Sequence, residues 1–351
     1  GYIDGDDSYP EVIVGRFSAE DKSQVTTQVN RVLQYEQIPP NSDAYAKGVG
    51  VGSDQGPGDD SEYDYQHLRN IREVLLDYTY TTGYELYDGS QGGEDADGSP
   101  NASDLHVLLE DGLGVINYTG HGGPLGWTQE RILEVDQINK WSNIDNLPLF
   151  MTATCKFSYF DNPEEKSAGE YVLLNENGGA IALLSTTRLV FVGPNYNLNT
   201  KFIQNIFKKQ DDEFPRLGDL FKTTKVLSGT SANNRNFTLL GDPALRLAYP
   251  KYDVRTTIVS DTLKALSEVT IEGEIEEDGF FISNFNGIIY PTVYDKELIK
   301  TTLGQESCTP MPYRDQNNIL YKGAATVKDG KFSFSFIVPK DIAYNYGAGK
   351  I

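Results

Sequence analysis

Two hydrophobic periodicities divide this chain, and the point near Pro250 where one gives way to the other limits the fold more than any other feature. Before Pro250, short apolar runs alternate with helical patterns. Glu11–Phe17 reads as a buried strand, and Ser18-Ala19-Glu20-Asp21 as a capping box opening a helix that buries Val25, Val29 and Val32 and runs to about Tyr35. Gly48–Gly52 reads as a strand. Leu68, Ile71, Leu75 and Leu76 share one face of a helix over 65–78. Strands are expected at Gly114–Tyr118, Leu147–Thr154 and Gly179–Ser185, and helices at Val135–Trp141, Ala168–Glu176, Tyr196–Lys208 and Leu217–Leu227. Strands alternating with helices predict a mainly parallel sheet covered on both faces, with functional residues just beyond the carboxyl ends of its strands.

After Pro250 the period becomes two. Val269–Ile275, Ile288–Tyr294 and Lys331–Val338 alternate apolar with polar residues, which predicts an antiparallel β-domain, a sandwich of immunoglobulin type. A length of 351 residues agrees with two domains, placed at 1–250 and 251–351. The Gly/Asp-rich stretch Gly89–Pro100 reads as a loop. The opening Gly1-Tyr2-Ile3 and closing Gly349-Lys350-Ile351 read as cut ends of a longer protein, one expected to carry a further catalytic subdomain upstream.

Composition removes several function classes. A net charge of −21 without a basic stripe repels phosphate backbones and anionic lipid, so nucleic acid is excluded as a partner. The acidity suits a domain outside the cytoplasm. Two cysteines, Cys155 and Cys308, cannot build a disulfide framework, and three scattered histidines (His67, His106, His121) do not make a zinc site. The match of Asn117-Tyr118-Thr119 and Asn101-Ala102-Ser103 to an N-glycosylation pattern is read as chance.

Two strand ends carry the chemistry. One strand runs into Gly120-His121-Gly122-Gly123, and another delivers Thr154-Cys155. One strand-helix-strand step separates them, so the two ends should be neighbours on the sheet edge. A thiolate is a nucleophile, and an imidazole beside it moves protons at neutral pH. Backbone N–H groups of Gly122 and Cys155 are the natural oxyanion donors.

Tyr118-Thr119-Gly120-His121-Gly122 and Thr152-Ala153-Thr154-Cys155 resemble the histidine and cysteine motifs of the gingipain-like cysteine peptidases, and Pro10–Ser18 and Gly241-Asp242-Pro243-Ala244 resemble other segments of that family. The resemblance covers residues 1 to about 250. It implies a caspase-like α/β catalytic domain followed by an immunoglobulin-like domain, on an extracellular or bacterial cell-surface enzyme. His121–Trp127 and Thr154–Ser158 are similar to the sortase members that serve the type IX secretion system. That likeness implies removal of a C-terminal signal domain from secreted cargo and transfer of the cargo to lipopolysaccharide, among outer-membrane secretion components.

The family pattern also implies an acidic residue that orients the histidine. The matching stretch Gly52–Gly58 has Gln55 at that position with Asp54 beside it, and Asp54 is chosen because a carboxylate stabilises imidazolium. Thr187 and Arg188, after the Gly179–Ser185 strand, are expected to border the substrate pocket. The acidic loop of Asp59, Asp60, Glu62 and Asp64, and another with Glu94, Asp95 and Asp97, suit a structural Ca²⁺, which the family likeness also implies; no cofactor is required for the chemistry. An ordinary endopeptidase using water and a non-catalytic surface module of the same fold stand as alternatives.

Overall fold

In the computed structural model, the described residues are 9–37, 43–53, 56–58, 60–78, 80–88, 100–127, 132–258, 262–301, 310, 312–342 and 345–351. The chain divides into two compact units, the first running to Ala248 and the second starting at Tyr249. In chain order the first contains α1 (Lys22–Gln37), β1 (Lys47–Gly52), α2 (Asp64–Leu76), β2 (Thr82–Tyr87), α3 (Ala102–Asp111) and β3 (Val115–Thr119). A small antiparallel sheet follows, β4 (Gly122–Gly123), β5 (Gly126–Trp127) and β6 (Leu133–Glu134). Then come α4 (Val135–Ile138), β7 (Leu149–Ala153), α5 (Ala168–Leu174), β8 (Ala182–Thr186), α6 (Val192–Ile206), α7 (Leu217–Leu227), α8 (Ala232–Asn236) and β9 (Phe237–Leu240).

The central sheet has the order β2-β1-β3-β7-β8-β9 and is parallel except for β9. The chain passes from β1 out to β2 and returns to β3 on the other side of β1, so the sheet's order reverses between β1 and β3. In open α/β sheets the crevice at such a reversal collects ligands.

Strand β1 explains how one helix comes to lie so close to the sheet. Its side chains alternate Gly48, Gly50, Gly52 with Val49 and Val51. The valines join a buried cluster with Leu105 and Leu109 of α3, Trp141 and Phe150. The glycines face α2: a methyl group on Gly52 would lie 2.9 Å from Leu68 Cδ1 and 3.1 Å from Tyr65 Cα. The missing side chains let the first turn of α2, which begins at Asp64, settle against the carboxyl end of β1. Helix α6 docks on the same sheet through a buried pair, Asn117 of β3 with Asn199, joined by two amide hydrogen bonds of 2.8 and 2.7 Å.

The N-terminal segment differs from expectation. Glu11–Phe17 forms no strand; a single parallel bridge joins Arg16 to Leu240, and Val12 and Val14 are exposed. The bridge closes through Arg16 N–H to Leu239 O (3.1 Å) and Gly241 N–H to Arg16 O (2.9 Å). Next along that outer edge of β9, the buried Lys225 ammonium donates to Phe237 O (2.9 Å); desolvation pulls this lysine down to about 7.

Ser18 is not a cap either. It donates to Glu170, and Asp21 accepts from Gln24 N–H (3.0 Å) at the start of α1. The buried face of α1 is Gln28, Arg31, Val32 and Tyr35, while Val25 and Val29 face solvent. Arg31 explains the rotation. Its guanidinium donates to the carbonyls of Val172, Ala180, Asn175 and Gly178, at 3.3, 2.7, 2.6 and 2.8 Å, closing the C-terminal end of α5. Unmade, those carbonyl bonds are costly inside a protein.

The second unit is strand-rich and antiparallel throughout its described pairings. Strands β10 (Asp253–Ile258), β11 (Glu268–Glu277) and β12 (Phe280–Phe281) form one sheet, which β19 (Lys331–Ile337) joins beside β11. β13 (Gly287–Ile289) pairs with β18 (Ala325–Val327), β14 (Thr292–Tyr294) with β17 (Ile319–Lys322), and β15 (Leu298–Thr301) with β16 (Pro312–Asp315). In β19 the alternation is strict: Phe332, Phe334 and Phe336 are buried and the residues between them exposed. They pack with Val269 and Ile271 across the β11 ladder.

Replacing Arg31 by Ala should therefore destabilise the first unit by about 3 kcal/mol, because four buried carbonyls lose a charged donor and those of Ala180 and Gly178 have no other donor among the described residues to replace it. Urea unfolding followed by fluorescence of Trp127 and Trp141, both in that unit's core, measures the loss.

Candidate active site

The parallel ladder of β3 with β7 sets the site. Its last pair is Thr119 with Ala153, and His121 and Cys155 each lie two residues further on (119 + 2 and 153 + 2). Equal overhang beyond paired residues brings both side chains to one end of the sheet. There they line a narrow cavity of about 100 Å³ together with Gly56, Asp64, Thr119, Gly120, Ala153, Thr154, Val190, Val192 and Asn195.

Each of the two is held by its neighbours. Tyr118, stacked on Trp127 at 4.0 Å between ring centres, donates its hydroxyl to His121 O (2.6 Å). Burial keeps this phenol far above its ordinary range, so it remains a donor. Gly122 allows the histidine loop to close on the cysteine loop: a Cβ there would lie 2.5 Å from Thr154 Oγ1. On the other side, Thr186 donates its hydroxyl to Thr154 O. Lys156 follows Cys155 at φ +56°, a conformation uncommon outside glycine, and its N–H is fixed by Arg188 O (3.2 Å). Cys155 is half-buried, with Sγ 3.8 Å from Val190 O.

Asp64 is the group that sequence reading placed elsewhere. Counted there among possible calcium ligands, it lies on the cavity wall instead, in the first turn of α2. Ser53, directly after β1, donates its hydroxyl to Asp64 Oδ2 (2.6 Å), and Ser53 N–H reaches Thr119 O (3.2 Å), which ties the end of β1 to the end of β3. Burial holds the Asp64 carboxyl above its usual range. The Ser53 hydrogen bond and the charges of His67 and His121 pull the other way, the latter through space rather than through a hydrogen bond.

Other expected site residues fall differently. Asp54, Gln55, Asp59 and Cys308, and the loop with Glu94, Asp95 and Asp97, lie outside the described residues. Asp60 and Glu62 turn toward the buried His67, with carboxylate oxygens 2.9 and 3.6 Å from Nε2, and His67 stacks on Tyr196 at 4.0 Å. Among the described residues no group of three or more His, Cys, Asp or Glu side chains could hold a metal ion. Thr187 and Arg188 do not line the cavity. Arg188 turns away to a two-point ion pair with Asp161 (2.9 and 2.5 Å) and lies over Tyr159, whereas Val190 and Val192 supply the wall. Asn195, on α6, is a lining residue that no sequence pattern singled out.

Residues 1–248 match peptidase family C25. The chain belongs to that family. Among curated proteins of Porphyromonas gingivalis, gingipain R2 is 29% identical over 160 residues, covering 44% of this chain and 20% of that protein. Lys-gingipain is 25% identical over 197 residues, 55% of this chain and 11% of that protein. The chain thus spans a small part of the curated relatives it matches. In fold it is similar to the crystal structure of the Arg-specific cysteine proteinase gingipain R, with a TM-score of 0.62 and 21% identity over 97% of this chain and 71% of that one. The likeness to PorU from Porphyromonas gingivalis covers 49% of this chain and 18% of that one, at 28% identity and a TM-score of 0.29, too low to carry a structural argument. As a C25 member the chain is of the cysteine-peptidase type.

The raised Asp64 carboxyl has a consequence for stability. Folding favours its protonated form, so its contribution is full below the unfolded value of about 3.9 and is lost as pH rises through the folded value. The Asp64→Asn protein should therefore melt higher than the wild type at neutral pH, and the gap should close as pH falls below about 4. Thermal melts across that range test the sign.

Proposed function

We propose that Cys155 is the nucleophile and His121 the proton-transfer partner of a cysteine peptidase that works outside the cytoplasm on protein substrates. The observation that carries this is their shared cavity at the in-register ends of β3 and β7. The thiolate sulfur attacks the scissile carbonyl carbon, and the amide C–N bond breaks as His121 protonates the leaving nitrogen. The resulting thioester is then opened by water, which releases a free carboxylate and restores the thiol. The backbone N–H groups of Gly122 and Cys155 are the proposed donors to the oxyanion in both steps.

Asp64 gives the cavity its sign. A buried carboxylate coupled to His121 but not hydrogen-bonded to it is suited to receive a cationic substrate side chain. The matching relatives include a protein named Lys-gingipain, and the fold neighbour is described as Arg-specific. Cleavage after a basic residue is the specificity we propose. Sortase-like transfer of type IX cargo to a lipopolysaccharide amine would use the same thioester and differ only in what opens it. No helix among the described residues is long and apolar enough to cross a membrane.

Peptide cleavage by the full-length protein should fall by at least about 10³-fold in Cys155→Ala and in His121→Ala. Undiminished cleavage by both would end the proposal. Mass spectrometry of the product reads the acceptor: a free carboxylate means hydrolysis, an added amine-linked group means transfer. Preference for arginine over citrulline at the cleaved position should drop about tenfold or more in Asp64→Asn, since the shape is kept and the charge removed.

A further inference from the structure

The cavity wall beside Cys155, residues 187–191, is tied at Arg188 by its ion pair with Asp161, but its apolar side chains do not anchor it. Leu189 and Phe191 are 63% and 66% exposed, so burial does not hold residues 187–191 in place. Backbone bonds hold it, from Lys156 N–H to Arg188 O (3.2 Å), from Asn195 N–H to Phe191 O (3.1 Å), and to two asparagines of α8. Asn236 donates its amide to Leu189 O (2.9 Å) and accepts at its backbone carbonyl from Thr187 N–H (2.9 Å). Asn233 grips Phe191 on both sides, accepting from its N–H (3.1 Å) and donating to its carbonyl (2.7 Å).

The grip continues to the nucleophile strand. Asn233 Nδ2 also donates to Asn195 Oδ1 (2.8 Å), and Asn195 Nδ2 donates to Ala153 O (3.4 Å), the last paired residue of β7 before Thr154-Cys155. Asn233 is 1% exposed and Asn195 5%. Helix α8 is itself tied down: Ser231 Oγ accepts from Asn234 N–H (3.1 Å), and the buried Asn234 amide donates to Lys225 O (2.7 Å). One unbroken run of amide hydrogen bonds thus links the wall carrying Val190 and Val192 to the strand end carrying Cys155. Both ends face the same cavity of about 100 Å³. An asparagine can do this because its amide offers two donor hydrogens and an acceptor in one plane; an aspartate of the same shape keeps only the acceptor.

We propose that Asn233 is a positioning residue of the peptidase site, setting the width of the substrate cavity by fixing the Val190–Val192 wall at a constant distance from the Cys155 turn. This rests on the reading of Cys155 as nucleophile. Asn233 touches neither substrate nor sulfur in this scheme; it acts through Phe191 and Asn195. Loss of the link lets the wall drift. Ground-state binding of the substrate side chain is then weakened while Cys155 and His121 stay on the ends of β7 and β3, the sulfur losing only its 3.8 Å contact with Val190 O.

The test uses the full-length protein as wild type, Asn233→Ala, Asn233→Asp and Cys155→Ala. Three quantities are measured: kcat and KM on a peptide amide with arginine before the cleaved bond, the rate of Cys155 alkylation by iodoacetamide, and the thermal melt. Both Asn233 variants should show KM raised about tenfold with kcat changed by less than about threefold, the signature of lost uniform binding. Alkylation needs no substrate pocket and should stay within about threefold of the wild-type rate, the lost Val190 O contact being a weak one. If the Ala variant does not melt cooperatively, the Asp variant decides, since it keeps volume and the bond from Phe191 N–H. Wild-type KM in a folded Asn233 variant overturns the proposal, as does a fall in kcat with an equal fall in alkylation rate, which would place the effect on the thiol. Activity retained in Cys155→Ala overturns the underlying reading instead, so the two failures are told apart.

Discussion

The site depends on one ladder register. Parallel pairing of β3 with β7 fixes how far each chain projects past the sheet, and a two-residue overhang on both strands brings an imidazole and a thiol to the same place. A slip of one residue in either strand would turn its side chains to the opposite face. The apolar packing of these strands is therefore inseparable from the chemistry at their ends. The buried Asn117–Asn199 pair supports this from the middle of β3, because an amide pair inside an apolar layer is satisfied in one alignment only.

A second constraint is built on the first. The glycine face of β1 lets α2 lie against the strand closely enough for Ser53 and Asp64 to meet, and Ser53 is bonded in turn to Thr119 at the end of β3. Three consecutive strand positions in the sheet order, β1, β3 and β7, thus each contribute to one cavity: Asp64 by way of α2, His121 and Cys155. The carboxylate is desolvated there, an unfavourable state for structure alone, and such perturbed groups gather where charge is put to use.

How much of this was legible beforehand follows from the range of each cause. His121 and Cys155 could be read because a buried strand ending in a reactive residue is a local pattern, and the alternation of strands and helices then places the two together. Asp64 stood in an acidic run that looked like a solvated loop. Its role comes from the glycines twelve and more residues earlier, which act through packing rather than through spacing. The face of α1 was misjudged because Arg31 is buried by four carbonyls from 141 to 149 residues away, a pull that outweighs the exposure of two valines. Asn195 and Asn233 carry no sequence signal at all. An asparagine on a helix is ordinary until its partners are known, and theirs are each other and backbone groups, which every residue possesses.

The outer edge of β9 has a further consequence. A sheet that ends in an open strand offers its unpaired carbonyls to any extended chain, including another copy of itself. Here the outward carbonyl of Leu239 is taken by one bridging residue, Arg16, and that of Phe237 by the ammonium of Lys225. An amine donates whether or not it carries its extra proton, so this stopper works on both sides of the lysine's titration near neutrality. The sheet is thereby blocked on this side by two groups that form no strand, so its border is finished without a seventh strand.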